Sequence, residues 1–148
     1  MTGRLIGIAR RDAKRAPMEE LERVRIEAGG GLDGDWRARL RNRGVTVIAR
    51  EAWEAALVDL GDAGDLPWTT RRANLLVENV DLPREPGRLL QVGGVVLRIT
   101  GETDPCKRME EQRAGLLAAL TPDWRGGVTC YVVEGNDVAL GDDVAVVD

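Results

Sequence analysis

Cys106 has the strongest case for chemistry of any residue in this sequence. It stands in Thr103-Asp104-Pro105-Cys106-Lys107-Arg108, after a Val-rich run and at the start of a helical pattern. Asp104 suits an N-cap, where a carboxylate accepts from the free N–H groups of a first helical turn. Pro105 suits the first helical position, where its missing N–H costs nothing. That register places Cys106 in the first turn, at the positive end of the helix dipole, with Lys107 and Arg108 adding two full charges. Together these influences favour thiolate over thiol and predict a reactive sulfur or a soft metal ligand; a close Asp104 carboxylate opposes them. The competing reading is a small, buried, apolar cysteine, against which the flanking charges argue.

Two other segments could hold a ligand. In Thr69-Thr70-Arg71-Arg72-Ala73-Asn74, the paired Arg71 and Arg72 with Asn74 close behind can grip a phosphate or carboxylate through forked, charge-assisted hydrogen bonds. Surface ion pairs and a loop-capping Asn are the alternative. Gly29-Gly30-Gly31-Leu32-Asp33-Gly34-Asp35 lacks the Gly-Lys-Ser/Thr end of a phosphate-binding P-loop. It still lets backbone come close to something. Arg37, just beyond it, is expected to face a ligand, with Arg39, Arg41 and Arg43 solvated. Trp36, Trp68 and Trp124 lie beside these loops and could wall a pocket. Cys130 alternates with Val128 and Val132 and reads as core; its pairing with Cys106 is the lesser option.

Composition removes several classes of chemistry. The 148 residues contain no His, Ser or Phe, which excludes Ser-His-Asp and Cys-His pairs and imidazole metal sites. Two cysteines are too few for a disulfide scaffold. No apolar run approaches a membrane span, and no signal-peptide pattern opens the chain. The expectation is a cytoplasmic protein with reduced thiols and no membrane association. Residues 1–50 carry 12 basic and 7 acidic side chains, within a chain of net charge −4. This basic third could meet an anionic ligand or partner, while the overall acidity and only two lysines argue against nucleic acid.

The elements that must position these residues are mostly strands. Val-rich runs bounded by Gly, Pro and Asp occur at 5–9, 21–28, 45–49, 74–78, 88–92, 95–100, 127–134 and 142–147. Gly93-Gly94 suits a hairpin turn, and Gly135-Asn136 and Gly141-Asp142 suit two more. Arg50–Leu60 puts Trp53, Ala56, Leu57 and Leu60 on one helical face, with Gly61 as the stop. A second helical pattern runs from Pro105 to Pro122, bent or broken at Gly115. The expected architecture is one β-rich domain over residues 1–148, mostly antiparallel, closed or partly closed into a barrel, with two or three short helices. The element order is not a repeating βαβ.

Several segments, in order, resemble the MOSC family, the domain found at the C-terminus of molybdenum cofactor sulfurases and in small standalone proteins. They are Gly31-Leu32-Asp33-Gly34-Asp35, Arg72-Ala73-Asn74-Leu75-Leu76-Val77 with Asp81-Leu82, Gly101 through Cys106, and Gly126-Gly127-Val128 through Val144. The resemblance implies a barrel of the MOSC, pyruvate-kinase-barrel-like type whose Pro-Cys cysteine, here Cys106, is the functional residue. It would serve as persulfide carrier or as ligand to molybdenum. Lys107 and Arg108 would stabilise its thiolate, and Arg37, Arg71, Arg72 and Asn74 would hold the phosphate of a molybdenum cofactor or orient an anionic partner. The resemblance further implies a cysteine desulfurase or a molybdoenzyme as partner. Its alternative readings are a molybdenum-cofactor-dependent reductase of N-hydroxylated compounds and a non-catalytic binding module. The family's frequent Gly-Asp-Arg-His pattern is not met, since Trp36-Arg37 follows Asp35. With only Lys14 and Lys107 present, pyridoxal phosphate has no support as a cofactor.

Overall fold

In the strand-like runs, aliphatic residues fall on alternate positions, and their faces turn inward together. The computed structural model describes residues 2–61 and 66–147. Its strands are β1 (Gly3–Arg10), β2 (Glu19–Glu20), β3 (Arg23–Ile26), β4 (Val45–Ala49), β5 (Leu75–Glu78), β6 (Leu89–Val92), β7 (Val95–Glu102), β8 (Val128–Glu134), β9 (Asn136–Ala139) and β10 (Asp143–Val147). Three helices, α1 (Arg50–Leu60), α2 (Lys107–Gln112) and α3 (Leu116–Leu120), complete the set, with 3-10 turns at Trp36–Arg43, Trp68–Arg71 and Pro122–Trp124.

Seven strands pair in the order β10-β6-β7-β8-β4-β5-β1, and β1 returns to β10, closing a barrel. Closure leaves this sheet without the unpaired edges that invite aggregation. Neighbours run antiparallel except β4 and β5, which are parallel and joined through α1. β2 extends the far end of β1, and β3 and β9 form a separate two-stranded ribbon. Leu5, Val47, Leu75, Leu90, Leu97 and Val132 are among the side chains that fill the barrel. Outside it, Ile48 and Leu76 meet Trp53, Leu57, Met109 and Leu116 in a second core under the helices. β4 and β5 are therefore buried on both faces, in keeping with sequences that are apolar apart from Thr46 and Glu78.

Most expected elements are found, with instructive differences. α1 spans the expected residues, and Gly61 ends it in the left-handed conformation at φ 75°. Gly115, at φ 89°, splits the second helical pattern into α2 and α3. Gly93 turns β6 into β7 at φ 55°. Asn136 does not sit in a turn: it opens β9, whose ladder to β3 is anchored at the Ile26–Asn136 pair. The expected strand 21–28 shortens to β3, and the two-residue β2 and the 3-10 turns carry too little periodicity to be read. No helix among the described residues is long and apolar enough to cross a membrane.

Candidate functional site: a cationic cavity around an exposed thiol

β7 delivers the chain to the cysteine loop. Thr103 N–H donates to Gly127 O at 2.9 Å, and Thr103 O accepts from Arg71 Nη2 at 3.1 Å. With both its backbone groups committed, Thr103 keeps this stretch out of the helix, and α2 begins later than the sequence suggests. The expected register is thereby corrected: Cys106, not Asp104, is the N-cap residue, with extended backbone (φ −124°, ψ 175°) and no side-chain capping bond. Its thiol is exposed and free. Asp104 instead lies near Glu102, whose carboxyl is pushed above the usual range by burial first, then by the neighbouring Asp104 carboxyl.

Arg71 supports this loop from below. It comes from the 3-10 turn before β5 and is only 6% exposed. Its Nε donates to Gly126 O at 3.0 Å while Nη2 reaches Thr103, so one planar fork ties two loops together. Gly126 makes the approach possible: a Cβ there would lie 2.5 Å from the Thr103 carbonyl oxygen. Burial pushes Arg71 down to about 10, and the charge of Cys106 is the largest influence opposing the shift. Among the described residues, no carboxylate lies within 4 Å of it.

A cavity of about 470 Å³ opens over these groups, and six of the seven expected site residues line it: Cys106, Lys107, Arg108, Arg37, Arg71 and Arg72. Asn74 does not. It is buried, with Oδ1 accepting from Thr46 N–H at 3.0 Å and Nδ2 donating to Ala9 O and Asp35 Oδ2, both at 3.2 Å. Its amide is spent on the scaffold, so a direct ligand contact is replaced by a positioning one. Asp35, buried in turn, accepts from the backbone N–H of Arg11 at 3.0 Å and of Arg37 at 3.2 Å. The chain Asn74–Asp35–Arg37 thus ties β5 to the cavity wall.

Arg11, Lys14, Arg15 and Arg43 add four cations that single-residue reasoning did not select; their only signal was the excess of basic residues before position 50. Asp104 and Glu111 are the only acids among the described residues of the lining, and Glu111 is shared by Arg108 at 3.7 Å and Arg15 at 4.0 Å. Arg11, Arg37 and Arg72 are all pushed below the usual guanidinium value, by burial first. Arg11 is also lowered by Arg108, Arg37 by Arg11 and Arg43, and Arg72 by Arg11, Arg108 and Arg15. An anion in the cavity would relieve all of these costs.

Trp36 walls the same cavity beneath Arg39 at 4.8 Å, Arg11 at 5.8 Å and Lys14 at 6.0 Å from its ring centroid. Trp68 packs on the outer core and donates to Glu20, and Trp124 packs against the barrel core. Trp124 borders a second cavity of similar volume beyond Gly127, where Glu51, Asp81 and Asp123 balance Arg84 and Arg125. That cavity has neither a thiol nor a net charge to match. Cys130 lies fully buried on β8, and burial pushes its thiol up to about 12.

Residues 19–145 match the MOSC domain, so the chain belongs to the MOSC domain family. Among solved structures it is similar to the YuaD protein from Bacillus subtilis, with a TM-score of 0.78 at 20% identity, covering 97% of this chain and 94% of that one. YiiM from Escherichia coli aligns with a TM-score of 0.71 at 13% identity over 98% of this chain and 70% of its own. YiiM from Geobacillus stearothermophilus gives 0.70 at 12% identity, over 99% and 74%. At these identities the likeness is one of fold. A search of the curated proteins gave no match.

Proposed function

We propose that this MOSC domain binds a molybdenum cofactor, with Cys106 as sulfur ligand to the metal and the surrounding arginines holding the anionic part of the pterin. The observation that carries this reading is an exposed thiol at a cavity whose described lining holds nine basic and two acidic side chains, with the buried Arg71 lacking a carboxylate partner among the described residues. A cavity of about 470 Å³ lies in the range of small-molecule and cofactor sites. Among the described residues no group of three or more Cys, Asp or Glu could hold a bare ion, so one thiolate fits a metal that brings its own sulfur ligands. A soft thiolate is the right donor for such a metal. When bound, the cofactor would supply two-electron redox chemistry, the basis for the alternative reading as a reductase of N-hydroxylated compounds.

The chain's own residues have separable roles. Lys107 and Arg108 follow Cys106 in the chain and bring two positive charges to the same cavity. Arg37 and Arg72 face the cavity and bind the anionic group, while Arg71 fixes the cysteine loop from beneath. A second reading, in which Cys106 carries persulfide sulfur received from a cysteine desulfurase and passed to a molybdoenzyme, is supported by the exposure of the thiol at the cavity. That role does not by itself require so large a cationic cavity.

Titration of the protein with isolated cofactor, followed by tryptophan fluorescence, tests the assignment. Arg37→Ala and Arg72→Ala should each weaken binding roughly tenfold, the scale of one charge-assisted hydrogen bond. Unchanged binding in both variants would contradict the reading. Persulfide on Cys106 by mass spectrometry, without cofactor binding, would favour the carrier role instead.

A further inference from the structure

We infer that residues 12–18 form a gate over the thiol cavity, latched by Arg15 to Glu111, and that a ligand as large as the cavity reaches Cys106 only when the latch parts. The inference rests on this cavity being the functional site and adds how entry to it is governed. The segment joins β1 to β2 and is fixed at its start, where Arg11 N–H donates to Asp35 Oδ1 at 3.0 Å and Arg11 O accepts from Trp36 N–H at 2.7 Å. Beyond that point none of its side chains is buried. Among the described residues, its backbone N–H groups make one hydrogen bond, from Ala16 to Ala13 O at 3.1 Å. Few buried contacts and few backbone bonds mark the parts of a fold that open at low cost.

What holds the segment in place comes from other elements. Arg72 Nη2 donates to Ala16 O at 2.5 Å and to Lys14 O at 3.4 Å, while Arg72 O accepts from Arg11 Nη1 at 3.3 Å. One residue thus clasps the loop near both ends and serves as its pivot. Lys14 and Arg15 line the cavity from the segment, and Lys107, Arg108 and Glu111 line it from α2, the helix that Cys106 caps. Arg15 Nη1 meets Glu111 Oε2 at 4.0 Å, so this ion pair bridges the cavity. Both partners are well exposed, at 70% and 53%, which makes the tie weak and open to screening by salt. Such a tie sets a resting position and yields to an entering ligand. On the segment's other side lies a further cavity of about 490 Å³, bordered by Ala16, Pro17, Met18 and Gly34. The segment therefore has space into which it can swing away from α2.

The test is the rate at which Cys106 of the full chain reacts with two uncharged reagents, N-ethylmaleimide and a polyethylene glycol maleimide. The ratio of the bulky to the small rate cancels any change in the ionisation of the thiol. Arg15→Gln and Glu111→Gln should each raise that ratio roughly two- to fivefold, the scale of one exposed ion pair. The double variant should rise no further than either single one, and Arg15→Lys, which keeps the charge, should stay near wild type. High salt should raise the ratio of wild type and leave that of Arg15→Gln unchanged. Equal ratios in wild type and both single variants, or single effects that add in the double variant, would overturn the inference. The measurement uses no cofactor. Failure to bind molybdenum would contradict the cofactor reading while these ratios stood, and unchanged ratios would remove the gate while leaving that reading intact.

Discussion

Arg71 donates through Nη2 to the carbonyl oxygen of Thr103 at 3.1 Å, across 32 positions of sequence. The loop that carries the thiol therefore hangs on a buried cation, and the same guanidinium grips Gly126 on the other side. Sequence spacing alone would place Arg71 as a ligand-binding residue; the structure gives it a supporting role as well, which makes its replacement informative.

Arg71→Lys should destabilise the protein by about 1–3 kcal/mol, since an ammonium cannot span both carbonyls and leaves one buried acceptor unpaired. Denaturant unfolding measures this. Gly126→Ala should act on the same joint, because a new Cβ would meet Thr103 O at 2.5 Å and neither backbone can yield cheaply. Both variants should also change the rate at which Cys106 is alkylated. An unaltered rate would mean that the fork does not position the thiol.

The two cysteines should separate cleanly in a thiol titration. Cys106 is exposed, whereas Cys130 is buried and its thiol is pushed up to about 12. Native protein should give one reactive thiol per chain at pH 8, and denatured protein two. Two fast thiols in the native state would contradict the burial of Cys130.

Asn74→Ala should be among the more damaging single changes, at about 3–5 kcal/mol. It strips partners from Thr46 N–H, Ala9 O and Asp35 at once. Asn74→Asp, which keeps the shape but replaces the Nδ2 donor with an acceptor beside Ala9 O and the Asp35 carboxylate, should recover none of that loss. Stability near wild type in Asn74→Ala would place the residue outside the scaffold.

How far the sequence could be read follows from range. α1 and the barrel strands were legible because their apolar period is local, and Cys106 stood out because its charged neighbours are adjacent in the chain. Asn74 was misplaced because a loop amide looks the same whether it meets a ligand or, as here, bonds β1, β4 and Asp35. The register of α2 was misread for a related reason: Asp104-Pro105 is a good local start signal, but Thr103 is held by Gly127 and Arg71, both remote in sequence. Arg11 and Lys14 reach the cavity only because β1 ends beside it, a fact of topology that no spacing encodes.

Glu102 should give a pH-dependent stability difference. Its carboxyl is raised above the ordinary 4.5 by burial and by Asp104, so the folded state disfavours its ionised form relative to the unfolded chain. The stability it contributes is full below 4.5 and is lost as pH rises through the raised value. Glu102→Gln should therefore melt higher than wild type at pH 7, with the difference closing as pH falls below about 4.5. A constant difference across that window would contradict the assignment.

The molybdenum content of paired wild-type and Cys106→Ser proteins, purified from a cofactor-competent host, reads out the thiol and its cavity together. With Cys106 as the metal ligand, wild type should retain molybdenum near one atom per chain, and the serine variant should lose most of it while melting at the same temperature. Equal molybdenum in the two proteins, or none in either, would contradict the proposed role of the thiol.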